Sequence, residues 1–149
     1  MAEAPVYEKL EEYNVIADKI KEAYPMQFGW IDPSLIRAYL ITNKDKPDNK
    51  EFEIKPVTQP IRQEVNFAFY IAFYADQWMS LLDKHKYLLV ARSLFCFTQN
   101  ENGELDEQKV ETYKYKDHAV MPRTFGMDYL VRDDVPDILE TKIQWKDVD

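Results

Sequence analysis

Val65-Asn66-Phe67-Ala68-Phe69-Tyr70-Ile71-Ala72-Phe73-Tyr74-Ala75-Asp76 separates cleanly into two parities. One is Val65, Phe67, Phe69, Ile71, Phe73 and Ala75, wholly apolar; the other is Asn66, Ala68, Tyr70, Ala72, Tyr74 and Asp76, small or amphipathic. Successive side chains of a strand point to opposite faces, so this stretch is the best strand of the chain, with one face in a core and the other covered by mixed residues. Gln77 to Gln99 follows without glycine or proline and carries Trp78, Leu81, Leu82, Leu88, Leu89, Ala91, Leu94 and Phe95, which predicts a buried helix beginning between Gln77 and Asp83. Asp83 is the expected N-cap, its carboxylate accepting from the free amides of the first turn.

Upstream, Val6, Leu10, Tyr13, Ile16, Ala17, Ile20 and Ala23 recur at helical spacing, which predicts an amphipathic helix over Val6 to Tyr24, stopped by Pro25. Ile36 to Ile41 is a short β-prone run before a charged loop from Asn43 to Lys50. Glu51 to Val57 alternates apolar and charged residues, and Pro56 and Pro60 confine it to a sheet edge. Downstream, Asn100 to Gly103 is a turn, and Val110 to Tyr115 alternates again on the way to His118. The last third, Met121 to Asp149, mixes prolines with short apolar pieces and predicts one helix, from about Phe125 to Val131. The expected class is α+β: a small mixed or antiparallel sheet packed against an N-terminal helix and a central buried helix. The 149 residues suit one domain, with 1–5 and about 141–149 as loosely held ends.

Hydrophobic residues make up 46% and aromatics 14%, enough to bury a core. Against 19 basic residues stand 27 acidic ones, and the formal charge of −8 disfavours a grip on nucleic acid through phosphate neutralisation. Three scattered glycines, Gly29, Gly103 and Gly126, cannot write a phosphate-cradling loop or a dinucleotide fingerprint. A single cysteine, Cys96, and a start that lacks both a basic region and an apolar run lead us to expect a cytoplasmic protein. No apolar run approaches the roughly 20 residues of a membrane helix.

Motifs for chemistry are sparse. Two histidines, His85 and His118, and one cysteine form no paired metal-ligand spacing, so neither metal nor cofactor is expected. Ser34, Ser80 and Ser93 lack a nucleophile-elbow setting. Glu101, Glu104, Asp106 and Glu107 read as a solvated loop before they read as an acid/base pair. His85, between Lys84 and Lys86, reads as a surface residue.

One arrangement nevertheless stands out. The strand Val65 to Phe73 runs to Asp76-Gln77-Trp78-Met79-Ser80; then come the helix Tyr87 to Cys96, the turn Asn102-Gly103-Glu104, and Lys116-Asp117-His118. This order resembles the phage metallopeptidases, a zincin-like family in which a strand ends in a Trp-containing turn, a helix carries H-E-x-x-H, and a third histidine follows a short excursion. The likeness spans about Tyr7 to Gly126. It implies a zincin-like architecture, with Arg92 at the first zinc-binding histidine, Ser93 at the general-base glutamate, Cys96 at the second histidine and His118 at the third. Two imidazoles one helical turn apart chelate zinc while the glutamate between them activates water. Arg92 is permanently protonated and has no acceptor, and Ser93 is no carboxylate, so the implied site is degenerate.

Arg92 is then either part of a binding surface or on the solvent side of its helix. Cys96 and His118 read as a buried cysteine and an isolated histidine, two ligands being too few for a metal without others. The expected function is that of a non-catalytic phage protein, a pseudoenzyme that binds another macromolecule in the bacterial host cytoplasm. An acidic protein rich in Tyr and Trp suits a host nuclease or a CRISPR-type defence complex with a basic surface, reached by electrostatic steering without direct nucleic-acid or membrane binding. The candidate interaction residues are Glu101, Glu104, Asp106 and Glu107 together with Asp128, Asp133, Asp134, Asp137 and Glu140. A metal-dependent hydrolase rebuilt on Cys96 and His118, and a structural protein that pairs with itself as a homodimer, are the other readings.

Overall fold

A computed structural model describes residues 4–48, 50–111 and 118–146. The elements are β1 (Val6–Lys9), α1 (Glu11–Ala23), α2 (Pro25–Phe28), β2 (Ile36–Thr42), β3 (Phe52–Pro56), β4 (Phe69–Tyr74), α3 (Ala75–Ser80), α4 (Asp83–Leu94), β5 (Phe97–Gln99), β6 (Leu105–Val110) and α5 (Val120–Phe125), with 3-10 turns between. The fold is mixed α+β. Four strands form a sheet in the order β1-β2-β4-β3, in which β2 and β4 run parallel while β1 and β3 pair antiparallel at the ends; β5 and β6 form a separate hairpin. No helix among the described residues is long and apolar enough to cross a membrane.

β4 lies inside the sheet between β2 and β3, with the two faces that its parities predict. Phe69, Ile71 and Phe73 enter the main core with Ile36 and Ala38 of β2, beneath Tyr13, Ile16, Ala17 and Ile20 of α1. Each of these Phe and Ile side chains contributes about 1.5–3 kcal/mol by leaving water. Tyr74 and Ala72 belong to a small second cluster with Ile41, on the opposite face. The strand is shorter than the parity pattern, because Ile61–Glu64 coils into a 3-10 turn and the chain through Val65 to Ala68 serves as the approach to β4. β3 lies at an edge, as Pro56 requires.

Three local expectations are corrected. Val6–Lys9 is a strand instead of the first turn of α1: it pairs with Tyr39 to Thr42, and Leu10 N then donates to Ala38 O (2.9 Å). Edge pairing thus outcompetes the helical period, and Pro25 opens the single-turn α2 after α1 ends. Gln77 to Gln99 is the end of α3, then α4, then the strand β5, with the helices interrupted where Leu81 and Leu82 are extended. Leu82 holds the N-cap position without a side-chain cap, and Asp83 lies inside the first turn, where its charge still faces the positive end of the helix. The helix expected over Phe125 to Val131 is instead α5 followed by a 3-10 turn at Tyr129–Val131, the two separated by Gly126 at φ +81° and Asp128 at φ 56°.

The C-terminal stretch up to Lys146 brings Trp145 into the core among Tyr24, Phe28, Phe95 and Phe125. Of the alternating stretch Val110 to Tyr115, Val110 closes β6, while 112–115 and the Lys116-Asp117 pair lie outside the described residues, as do 1–3 and 147–149 of the two ends.

Candidate functional site

The second half of α4 is buried all round: Leu88 to Leu94 are buried, Arg92 and Ser93 among them. α1 packs against this half of the helix, and the burial rules out the solvent-side reading of Arg92. Its side chain is only 4% exposed, borders a cavity of about 670 Å3 and lies 6.0 Å from the Phe52 ring centre. Glu51, Gln77, Lys46 and Tyr129 line other walls of that cavity. Ser93 Oγ donates to Val90 O and accepts from Tyr13 OH at 2.9 Å, so a hydroxyl pair between α1 and α4 occupies the place that the resemblance gives to a general base. Burial raises the Tyr13 hydroxyl far above its ordinary pKa, which keeps it a donor.

α4 ends at Leu94, two residues short of Cys96. Cys96 N reaches back only to Ser93 O (3.0 Å), a three-residue step, so Arg92 and Cys96 do not project from one continuous turn of α-helix. Cys96 is nonetheless completely buried, and its Sγ meets His118 Nε2 at 3.3 Å. Burial, and then the Arg92 charge, push His118 down to about 4, which leaves a neutral imidazole at ordinary pH. Arg92, Cys96 and His118 therefore share one neighbourhood, with Ser93 turned away to Tyr13.

These residues do not fit zinc. A guanidinium close enough to depress His118 would repel a dication bound there. Among the described residues no three His, Cys, Asp or Glu side chains form a metal-holding group. His85, expected at the surface, is 5% exposed, and its Nε2 meets Arg132 O at 2.6 Å; it ties the start of α4 to the C-terminal loops.

No protein-family model, curated protein or solved structure matches the chain. The metallopeptidase likeness rests on the residues and their order.

The candidate acidic residues fall into two groups with differing occupations. Around the β5–β6 turn, Glu101 and Glu104 are exposed, Asp106 caps Gln108 N (2.9 Å), and Glu107 pairs with Arg62 (2.8 Å). In the C-terminal loops, Asp128, Asp133 and Glu140 are exposed, Asp134 pairs with Arg132 (2.9 Å), and Asp137 caps the turn at Leu139 and Glu140. Asp106 and Asp137 thus hold local turns, while Glu101, Glu104, Asp128, Asp133 and Glu140 present charge to solvent. Arg132, which the sequence reading passed over, gathers its loop by donating to Phe125 O and to Met127 O (3.0 Å). Spacing along the chain carries no signal for such a contact.

Proposed function

We propose that this chain is a non-catalytic, phage-encoded protein built on a degenerate metallopeptidase-like, zincin-like scaffold, and that it acts by binding a macromolecule with a basic surface. A host nuclease or a CRISPR-type defence complex has that chemistry. The observation that carries the reading is the buried Arg92 beside His118: a fixed cation stands where the resemblance calls for a metal ligand, and Ser93 stands where it calls for a carboxylate. The order of strand, Trp78-bearing helix, buried helix, hairpin and returning His118 supports the ancestry. The charge of −8 and the exposed acids support electrostatic capture of a basic partner.

The alternative, a metal-dependent hydrolase rebuilt on Cys96 and His118, has the 3.3 Å contact in its favour and the Arg92 charge against it. Elemental analysis of the purified protein separates them: the pseudoenzyme reading expects no stoichiometric metal, and zinc at one equivalent, lost in His118→Ala, overturns it. Capture of a defined partner from bacterial lysate should weaken as salt rises from about 50 to about 500 mM, and again when Asp133 and Glu140 are neutralised. Capture indifferent to both changes removes the acidic surface from the account.

A further inference from the structure

The helices α1 and α4 cover one face of the four-stranded sheet; the other face has a composition of its own. Residues directly opposite one another in a sheet share a face. The pairings Tyr7 with Ile41, Lys9 with Tyr39, Arg37 with Tyr70, Tyr39 with Ala72, Ile41 with Tyr74 and Lys55 with Tyr70 therefore gather four tyrosines and three cations on this side. Tyr7 is 50% exposed and meets Tyr39 edge-on with ring centres 6.2 Å apart. Arg37 stacks 4.5 Å from the centre of the Phe67 ring. A groove of about 720 Å3 runs over the face, lined by Tyr7, Tyr39, Lys55, Ile61, Phe67 and Tyr70.

The charge of this face runs against that of the chain. Glu53, the acid that the strand pairings place here, is held by Lys44 at 3.1 Å and accepts from Tyr74 OH at 3.3 Å. Lys9, Arg37 and Lys55 remain to set the local sign. The acidic groups of the β5–β6 turn and the C-terminal loops lie outside this sheet, and of these Glu107 is paired with Arg62 at 2.8 Å. The formal charge of −8 argues against a grip spread over the whole surface, whereas the charge of this face is set by Lys9, Arg37 and Lys55.

We propose that the open face of the sheet is a docking site for single-stranded DNA, whose bases stack on Tyr7, Tyr39 and Tyr70 while Lys9, Arg37 and Lys55 neutralise its phosphates. Aromatic rings interleaved with cations suit a single strand because every base offers a flat face, whereas a duplex keeps its bases stacked on each other. An acidic peptide would use the cations and leave the rings without a role. Glu53, the carboxylate on this face, is engaged within the protein and is not left to accept from a ribose 2′-hydroxyl, and DNA is the expected strand. This proposal is independent of the metallopeptidase reading.

Fluorescence anisotropy of the full chain with a labelled oligothymidylate of about 15 nucleotides tests it. Saturable binding is expected at about 1–100 µM protein in low salt, the range of sequence-independent complexes. Tyr39→Ala and Tyr70→Ala should each weaken binding by at least about fivefold. Tyr7→Ala, on the exposed edge, repeats the test should the inner tyrosines be needed for folding, which thermal melts check. Lys55→Ala should lower the salt slope by about 0.7, a change that a purely structural role does not produce. A strand of the same length with abasic sites should bind far more weakly. The proposal is overturned by no binding at about 100 µM protein, by an oligoglutamate that competes equally, by a tighter complex with the matching RNA, or by indifference to Tyr7→Ala and Lys55→Ala together.

Discussion

Cys96 Sγ lies 3.3 Å from His118 Nε2, closing a loop of 22 positions that starts just past the end of the buried helix. With the imidazole held neutral, the thiol can donate to the ring nitrogen, and the pair is satisfied without charge. Burial is the larger cause of that state, and the Arg92 charge adds to it by disfavouring a second cation nearby. The three residues behave as a neutral contact guarded by one fixed charge.

The first prediction is a pH dependence. His118 has an ordinary value near 6.5 when unfolded and about 4 when folded, so between those limits the unfolded chain binds more protons. Stability contributed by this group is complete above about pH 6.5 and is lost as the pH falls toward 4, at no more than about 1.4 kcal/mol per pH unit. Urea unfolding from pH 7.5 to pH 4 should show a steeper loss in the native protein than in His118→Gln. Parallel curves would refute it.

The second concerns the hydroxyl pair. Ser93 Oγ donates to Val90 O, so Tyr13 OH is the donor in the 2.9 Å contact. Tyr13→Phe removes a donor and leaves Ser93 with its backbone partner, costing about 0.5–1.5 kcal/mol. Ser93→Ala instead strands a buried Tyr13 hydroxyl, costing about 1–3 kcal/mol. Chemical denaturation should rank Ser93→Ala as the more damaging, and the reverse order would mean that Tyr13 finds another acceptor.

How far the sequence could be read follows from which forces are local. β4 was legible because Phe69, Ile71 and Phe73 alternate with Tyr70, Ala72 and Tyr74 in a strict two-residue period. The edge position of β3 was legible through Pro56. β1 was not, since Val6 continues the helical spacing of α1 and only pairing with Thr42, 36 residues away, makes it a strand. Nor was the break at Leu81–Leu82, where neither glycine nor proline marks the change. At the candidate site, pattern and order pointed to Arg92, Ser93, Cys96 and His118, while the burial of Arg92 and the turn of Ser93 toward Tyr13 depend on α1 packing over α4. His85 misled because its lysine neighbours in sequence say nothing of Arg132 O, 47 positions on.

The third prediction tests the C-terminal loop. Gly126 has φ +81°, and a Cβ there would come within 2.6 Å of Arg132 Nη1, which donates to Met127 O while Nη2 donates to Phe125 O. Gly126→Ala meets backbone strain and displaces the guanidinium, at a combined cost of about 1–3 kcal/mol. Hydrogen exchange should show faster opening of residues 126–131 in both Gly126→Ala and Arg132→Ala, with the sheet unchanged. Protection at native levels in Arg132→Ala would show that the loop is held by other contacts.

The fourth rests on Trp145. Four rings meet it edge-on, with centres 5.3–5.8 Å away, from α2, the C-termini of α1, α4 and α5, and it is 5% exposed. Tyr24 adds a second tie by donating to Ile138 O (2.6 Å). A side chain so placed packs against the ends of several helices at once, and its removal leaves a cavity those helices cannot easily close. Trp145→Ala should therefore cost about 3–5 kcal/mol, a large share of a domain's whole stability, whereas Trp145→Phe should recover part of it by refilling the space. Thermal and urea unfolding of the two variants decide the matter: a shift in Trp145→Ala no larger than that of an exposed substitution such as Met26→Ala would mean that the C-terminal stretch contributes little to holding the helices together.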